Sequence, residues 1–339
     1  MIHLKAAIYN GRKNVEIKEL ETPHAGDNDI VIKNIYSSIC GTDVAVYFHG
    51  ANTGHKVDVG GEFGHETISQ VVEVGKNIKD IKVGDIVYPY PREAKGNPHR
   101  AGTLGGFSEY ILVPNCELNR SVYKLKEGIS IREACLIEPF TVGTRAARRS
   151  FPQKDEKAIV FGAGTIGIAS AIALKYFGCK QVMIVDLSDF RLDIVKKLGF
   201  ETCNSNKENL QEKAKEYFGL SYNTKGETAD VDIYIDAAGA NSILDIFQEM
   251  GKIESRIVIV AVGAAKREVD ILNMTYSHYS IIGSGGYFPI DVEDVMNIMA
   301  SHKWNIESII TNEFRQEEIT KAIETAGDSQ NALNVIIKY

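Results

Sequence analysis

The sequence predicts an α/β protein in two parts: a mostly antiparallel β domain, followed by a doubly wound domain built on a parallel sheet. Three observations carry this prediction. The 339 residues exceed one ordinary domain and suit two. Up to about residue 125, short β-branched runs are cut by Gly, Pro and Asn. Beyond residue 150, strands that are apolar throughout alternate with helical stretches, which implies a sheet covered on both faces.

In the first part, NVEIKEL, DIVIKNIYSSIC, ISQVVEV, GDIVYPY and FSEYILVP read as strands of an irregular β domain or small barrel. In the second, KAIVFG reads as a strand, TIGIASAIALKYFG as a helix closed by Gly178, and QVMIVD as another strand. SDFRLDIVKKLG is then a helix with Ser188 at its N-cap and Gly199 past its end. ADVDIYIDAAG, NSILDIFQEMG and SRIVIVAVG continue the alternation, a helix follows around DVEDVMNIMASHKW, and ALNVIIKY closes the chain as a strand. There is no internal repeat, low-complexity tract or long linker.

Composition narrows the function. Hydrophobic residues at 44% and charged residues at 24% are those of an ordinary globular protein. A net charge of −7 argues against a nucleic acid or an anionic membrane as partner and leaves small molecules. The five cysteines, Cys40, Cys116, Cys135, Cys179 and Cys203, are scattered, odd in number and never in a Cys-x-x-Cys pair, which suits a reducing compartment and predicts a cytoplasmic protein. The start, MIHLKAAIYNGRKNVEI, turns polar too soon for a signal peptide. Ala158–Leu174 is uncharged for about the minimum membrane-spanning length, but its three glycines, with Thr165 and Ser170, favour a buried strand, turn and helix.

That same stretch contains G-x-G-x-x-G at Gly162, Gly164 and Gly167, between a predicted strand and a predicted helix. Gly162 permits the tight turn, Gly164 lets the backbone approach a pyrophosphate, and Gly167 lets helix and strand pack closely. The phosphates then sit on the helix N-terminus at Thr165 and Ile166, where free N–H groups and the dipole favour negative charge. Asp186 ends the next strand about twenty positions on, where a carboxylate can accept hydrogen bonds from the adenosine ribose and repels a ribose phosphate. This predicts NAD over NADP. Arg191 is the opposing signal, since an arginine can pair with that phosphate or simply cover the helix surface. A capping or surface role for Asp186 is the structural alternative.

Cys40 stands in CGTD, His65 and Glu66 in GGEFGHE, and Glu138 before Pro139. A thiolate, an imidazole and one or two carboxylates are a reasonable ligand set for zinc with a position left open for substrate. Each residue taken singly is more often structural. His65 and Glu66, being adjacent, can share a metal only if the backbone turns there, and Gly64 makes that turn possible.

The motifs CGTDVAVYFHG, GGEFGHE, VGDIV, GGFSEYILVP, LIEPFTVG and VFGAGTIG, in this order, resemble the zinc-dependent medium-chain alcohol and polyol dehydrogenases over essentially the whole chain, most closely the sorbitol and sugar-alcohol-phosphate branch. The resemblance implies a GroES-like catalytic domain over 1–147, a Rossmann NAD-binding domain over 148–285, and a C-terminal segment, 286–339, returning to the catalytic domain. It implies Cys40, His65 and Glu138 around a catalytic zinc, with Glu66 as a direct or alternating ligand. It implies a homodimer or homotetramer. Glu138, where alcohol dehydrogenases of the family carry a cysteine, points to a polyol or sugar-derived alcohol as substrate. On this reading zinc lowers the pKa of the alcohol oxygen, Thr42 hydrogen-bonds that oxygen and passes its proton outward, and hydride passes to NAD. Backbone near Val262 and Gly263, at the end of a predicted strand, binds the nicotinamide amide. Asp43 is expected to be a structural anchor.

Two departures from the family pattern stand out. The interval YPYPREAKGNPHRAGTLGG contains no cysteine where many members hold a four-cysteine zinc lobe, so one catalytic zinc and no structural zinc is expected, and His99 alone does not replace the lobe. Ala45 stands where a proton-relay histidine is common, so the relay ends differently, through His49 or solvent. Arg92, His99 and Arg100 are candidates for meeting an acidic substrate but read more simply as a solvated loop face. Tyr47, Phe48 and Tyr287 are candidates for pocket lining but read more simply as core. The competing functions are metal-free quinone or enone reduction on the same fold, which does not need the ligand set, and a non-catalytic nucleotide-binding protein.

Overall fold

The structure is a computed structural model describing residues 3–97, 100–263 and 265–339, so His99 lies outside the described residues. The chain divides into two compact units, Met1–Glu138 with Ile306–Tyr339, and Pro139–Asn305.

The first unit is mostly antiparallel β. Its larger sheet runs in the order Ile310–Arg315, Asn334–Lys338, Ile30–Ser38, Glu66–Val74, Ile86–Pro89, Val122–Lys124, with Tyr110–Val113 also paired to Ile30–Ser38. A smaller sheet joins Asn14–Glu21, His3–Gly11 and Gly61–Glu62. The last strand of the chain lies against Ile30–Ser38 with Ile336 opposite Ser38, and Glu66 flanks Ser38 on the other side. The C-terminus therefore helps to fix the strand that leads into Cys40. Asn334 Nδ2 donates to Ser38 Oγ at 3.0 Å, and the Ile39 N–H donates to the Val335 carbonyl at 3.0 Å.

The second unit holds six parallel strands in the order Glu201–Asn204, Gln181–Asp186, Lys157–Phe161, Ile233–Asp236, Arg256–Ile259, Ser280–Gly283. Counted from Lys157–Phe161 this is the order 3-2-1-4-5-6 of a dinucleotide-binding doubly wound domain. The alternation predicted beyond residue 150 is present, and Ser188 caps its helix by accepting from the Arg191 N–H. The helix Pro289–Ala300, which the sequence reading puts in the returning segment, is part of the second unit, where Arg148 pairs with Asp291 at 2.7 Å. No helix among the described residues is long and apolar enough to cross a membrane.

Candidate active site

Cys40 is the N-cap of a short helix, Gly41–His49, with extended backbone at φ −74° and ψ 149°. The helix starts there because Asp43, in its first turn, reaches back: Oδ2 accepts from the Cys40 N–H at 3.0 Å. An acid in the first turn also suits the helix dipole. Val46 and Tyr47 bury the helix in the core, and the Tyr47 hydroxyl donates to Glu324 at 2.9 Å, so Tyr47 packs in the core rather than lining a pocket. Tyr287 is buried as well, and Phe48 packs against the core cluster.

His65 and Glu66 arrive from a glycine turn. Gly64 sits at φ +88°, and a Cβ there would fall 2.7 Å from the Phe107 ring, so the turn requires glycine. The Gly106 N–H donates to the Gly64 carbonyl at 2.8 Å, and Asn34 Nδ2 donates to the Gly106 carbonyl at 2.8 Å, which holds the turn from behind. The bend brings donor atoms of Cys40, His65 and Glu66 within 4.8 Å of one another. Glu138 stands in the first turn of the helix Ile137–Arg149, buried, and its charge acts on both Cys40 and His65.

The electrostatics of this cluster call for a cation. Burial, followed by the charges of Glu66, Asp43 and Glu138, pushes the Cys40 thiol well above its ordinary range. Burial pushes the Asp43 carboxyl up to about 6 and raises that of Glu66. Burial pulls His65 down, but Asp43, Glu138 and Glu66 together leave it raised. A thiol and three carboxyls crowded around one imidazole resist ionising together unless positive charge is supplied. With a soft thiolate, an imidazole and carboxylates as donors, the set fits zinc. The Thr42 hydroxyl lies beside the Cys40 thiol, is buried, and makes no hydrogen bond of good geometry, which leaves it free to meet a substrate oxygen.

One residue here is absent from the sequence reading. His55 brings Nε2 to 3.5 Å from Asp43 Oδ1, which is itself 3.8 Å from His65 Nδ1. The only signal for it is a second histidine between Cys40 and His65, in a loop without periodicity. His49, the alternative relay end, is exposed in the last turn of its helix. Arg92 is exposed, and Arg100 is committed to Glu62 through two hydrogen bonds of 3.0 and 3.1 Å, so Arg100 is not available to an acidic substrate.

In the second unit the glycine turn has the shape its motif requires. Gly162 takes φ +102°, and Gly164 caps the helix Thr165–Tyr176. Thr165, Ile166 and Gly167 open that helix, where N–H groups have no intrahelical acceptor. Asp186 does more than wait for a ribose: Oδ2 accepts from the Ala163 N–H at 2.6 Å, and Oδ1 from those of Leu187 and Ser188 at 2.7 and 2.9 Å. It buttresses the turn, and of a carboxylate's roughly four lone-pair sites one is left for a ligand. Arg191 stands over the turn, with Nη1 3.9 Å from where a Gly164 Cβ would lie. Val262 and Gly263 follow the strand Arg256–Ile259 at the carboxyl end of the sheet, with Val262 82% exposed.

Comparison with known proteins agrees with this geometry. A zinc-binding dehydrogenase family model matches residues 165–301 and an alcohol dehydrogenase GroES-like domain model matches 26–126, together more than half of the chain. Sorbitol dehydrogenase of Mus musculus is 28% identical over 98% of this chain and 94% of its own. L-threonine 3-dehydrogenase of Vibrio cholerae is 26% identical over 92% of each. The fold of 2R,3R-butanediol dehydrogenase from Bacillus subtilis superposes with a TM-score of 0.84 at 24% identity over 99% of each chain. The chain belongs to the zinc-dependent medium-chain alcohol and polyol dehydrogenase family.

Proposed function

We propose that this protein oxidises a secondary alcohol of a polyol or sugar derivative with NAD, using one zinc per chain held by Cys40, His65 and Glu138, with Glu66 as a direct or alternating ligand, and no structural zinc. The observation that carries the reading is the meeting of Cys40, His65 and Glu66 donor atoms within 4.8 Å, with Glu138 acting on the same group. When bound, zinc would supply positive charge that favours loss of the alcohol proton, and NAD would supply the hydride acceptor. The chain's own residues do the rest. Thr42 Oγ1 takes the hydroxyl proton as it releases its own to solvent. Asp43 holds the His65 ring. Gly162, Gly164, Thr165, Ile166 and Gly167 receive the pyrophosphate, Asp186 a ribose hydroxyl, Arg191 flanks the turn, and backbone at Val262 and Gly263 meets the nicotinamide amide.

The test is zinc content after metal loading, followed by a polyol screen with NAD and NADP. One zinc per chain and NAD-dependent oxidation of a polyol are expected. No metal uptake would leave Cys40 a buried thiol and favour metal-free reduction.

Two further parts of the reading concern assembly and location. Ser280–Gly283 ends the six-stranded sheet, and the preceding helix exposes Ile271, Leu272 and Tyr276 at 66%, 69% and 66%. An open edge beside an apolar patch suits pairing with a second copy. Light scattering is expected to give a dimer or tetramer of the 37.4 kDa chain, and Leu272→Glu to reduce it; a wild-type monomer would end this reading. Five free cysteines suit the cytoplasm, and recovery of the protein from a cell's periplasmic or secreted fraction would contradict it.

A further inference from the structure

We propose that His55 is a positioning residue of the metal centre: it donates from Nε2 to Asp43 Oδ1 and so pins the carboxylate that orients His65. The inference rests on the reading of Cys40, His65, Glu66 and Glu138 as the metal set.

The Asp43 carboxylate is fully buried, and only Oδ2 is satisfied, by the Cys40 N–H. Oδ1 has no hydrogen-bond partner, and neither ring nitrogen of His55 has one, although all three atoms are out of solvent. Leaving buried polar atoms unpaired is unfavourable, because the water they gave up is not replaced. The remedy is at hand, since His55 Nε2 lies 3.5 Å and His65 Nδ1 3.8 Å from that single oxygen, a few tenths of an ångström beyond ordinary hydrogen-bond range. A carboxylate oxygen has two lone pairs, so Oδ1 can accept from both rings at once. Nε2–H is available to His55 whether its ring is neutral or charged.

Local structure explains why His55 is there. Gly54 lies so close to the first turn of the helix Gly41–His49 that a Cβ would fall 2.5 Å from the Thr42 carbonyl oxygen. Thr53 Oγ1 donates to the Gly50 carbonyl at 2.6 Å and tightens the loop. The loop is thus seated on the turn that carries Thr42 and Asp43, and the His55 ring meets that of His65 edge-on, 5.0 Å between centroids. With Asp43 held by the Cys40 N–H on one oxygen and by two rings on the other, His65 has its Nδ1 engaged and keeps Nε2 for the metal. Partners of ligating histidines commonly contribute 10–100-fold to metal affinity.

The test uses His55→Phe, which keeps a ring against His65 and removes both nitrogens, and His55→Gln, whose side-chain nitrogen can occupy the place of Nε2. Metal loss to a chromophoric chelator and the visible spectrum of the cobalt-loaded protein are read, besides turnover. His55→Phe is expected to release zinc about 10–100-fold faster and to alter the cobalt bands, and His55→Gln to restore both to within about three-fold of wild type. If His55→Phe does not fold, His55→Leu takes its place. Release as slow as wild type in the nitrogen-free variant, or a glutamine variant no better than it, would overturn the proposal. So would two metals per wild-type chain falling to one in His55→Gln, which would make His55 a ligand, as the proximity of Asp43, His55 and His65 donor atoms within 4.8 Å allows. A wild-type chain that binds no metal would overturn the site reading and this inference together.

Discussion

Cys40→Ser and His65→Ala are each expected to lower kcat/KM for alcohol oxidation by about 1,000-fold or more and to abolish zinc retention, while Kd for NAD stays within about two-fold. The size follows from the chemistry: stabilisation of developing alkoxide charge by a metal is worth several kcal/mol, and each 1.36 kcal/mol is a factor of ten in rate. Serine is nearly isosteric with cysteine, so fold and helix cap are kept, but its hydroxyl does not ionise to a soft ligand. His65→Ala removes the only imidazole of the Cys40, His65 and Glu66 cluster and takes away the charge that opposes burial of the Asp43 carboxyl. NAD affinity is spared because the glycine turn belongs to the other unit, Pro139–Asn305. Steady-state kinetics, elemental analysis and a dinucleotide titration check the three parts separately. Activity that survives either substitution would mean that zinc does not act here, and a tenfold loss of NAD affinity would mean that the damage is to the fold.

Much of this was legible in the sequence for local reasons. The glycine motif, the following strand and the Ser188 cap lie within about thirty residues and are specified by backbone need and hydrophobic period alone. Cys40, His65 and Glu138 were legible as candidates, because those residue types are scarce beside glycine or proline turns, but their meeting depends on strand register. What was hidden is non-local or atypical. The helix Gly41–His49 carries VAVYF, which by propensity suits a strand; the Asp43 contact with the Cys40 N–H and the burial of Val46 and Tyr47 select the helix instead. The pairing of Ile310–Arg315 with Asn334–Lys338 is parallel and has no turn signature. His55 sits in a Gly-, Asn- and Thr-rich loop, where nothing but packing of Gly54 on Thr42 says where a side chain will go.

Gly167→Ala is expected to destabilise the protein by about 2–4 kcal/mol and to weaken NAD binding more than tenfold, against the ordinary effect of that substitution. Inside a helix, glycine to alanine normally stabilises by about 1 kcal/mol, and Gly167 is the third residue of the helix Thr165–Tyr176. Here the new Cβ would fall 1.8 Å from the Gly162 carbonyl oxygen. Neither group yields easily: Gly162 is at φ +102°, its N–H donates to the Val185 carbonyl at 2.7 Å, and the strand before it is paired on both sides. Backbone must therefore move by about an ångström, and overpacking of this kind costs typically 1–3 kcal/mol or more. The same movement would tilt the helix-opening N–H groups away from the pyrophosphate of the proposed binding mode. Gly164→Ala supplies the contrast, since its Cβ would find nothing nearer than Arg191 Nη1 at 3.9 Å and the residue already has φ −77°. Its stability is expected to stay within about 0.5 kcal/mol of wild type, the usual range for a surface substitution, while dinucleotide affinity is expected to fall, because the methyl group would stand where the proposed binding mode puts the phosphates. Urea unfolding and fluorescence titration with NADH separate the two cases. Gly167→Ala as stable as wild type would show that helix and strand do not need glycine to approach here, and unchanged NADH affinity in Gly164→Ala would place the phosphates elsewhere.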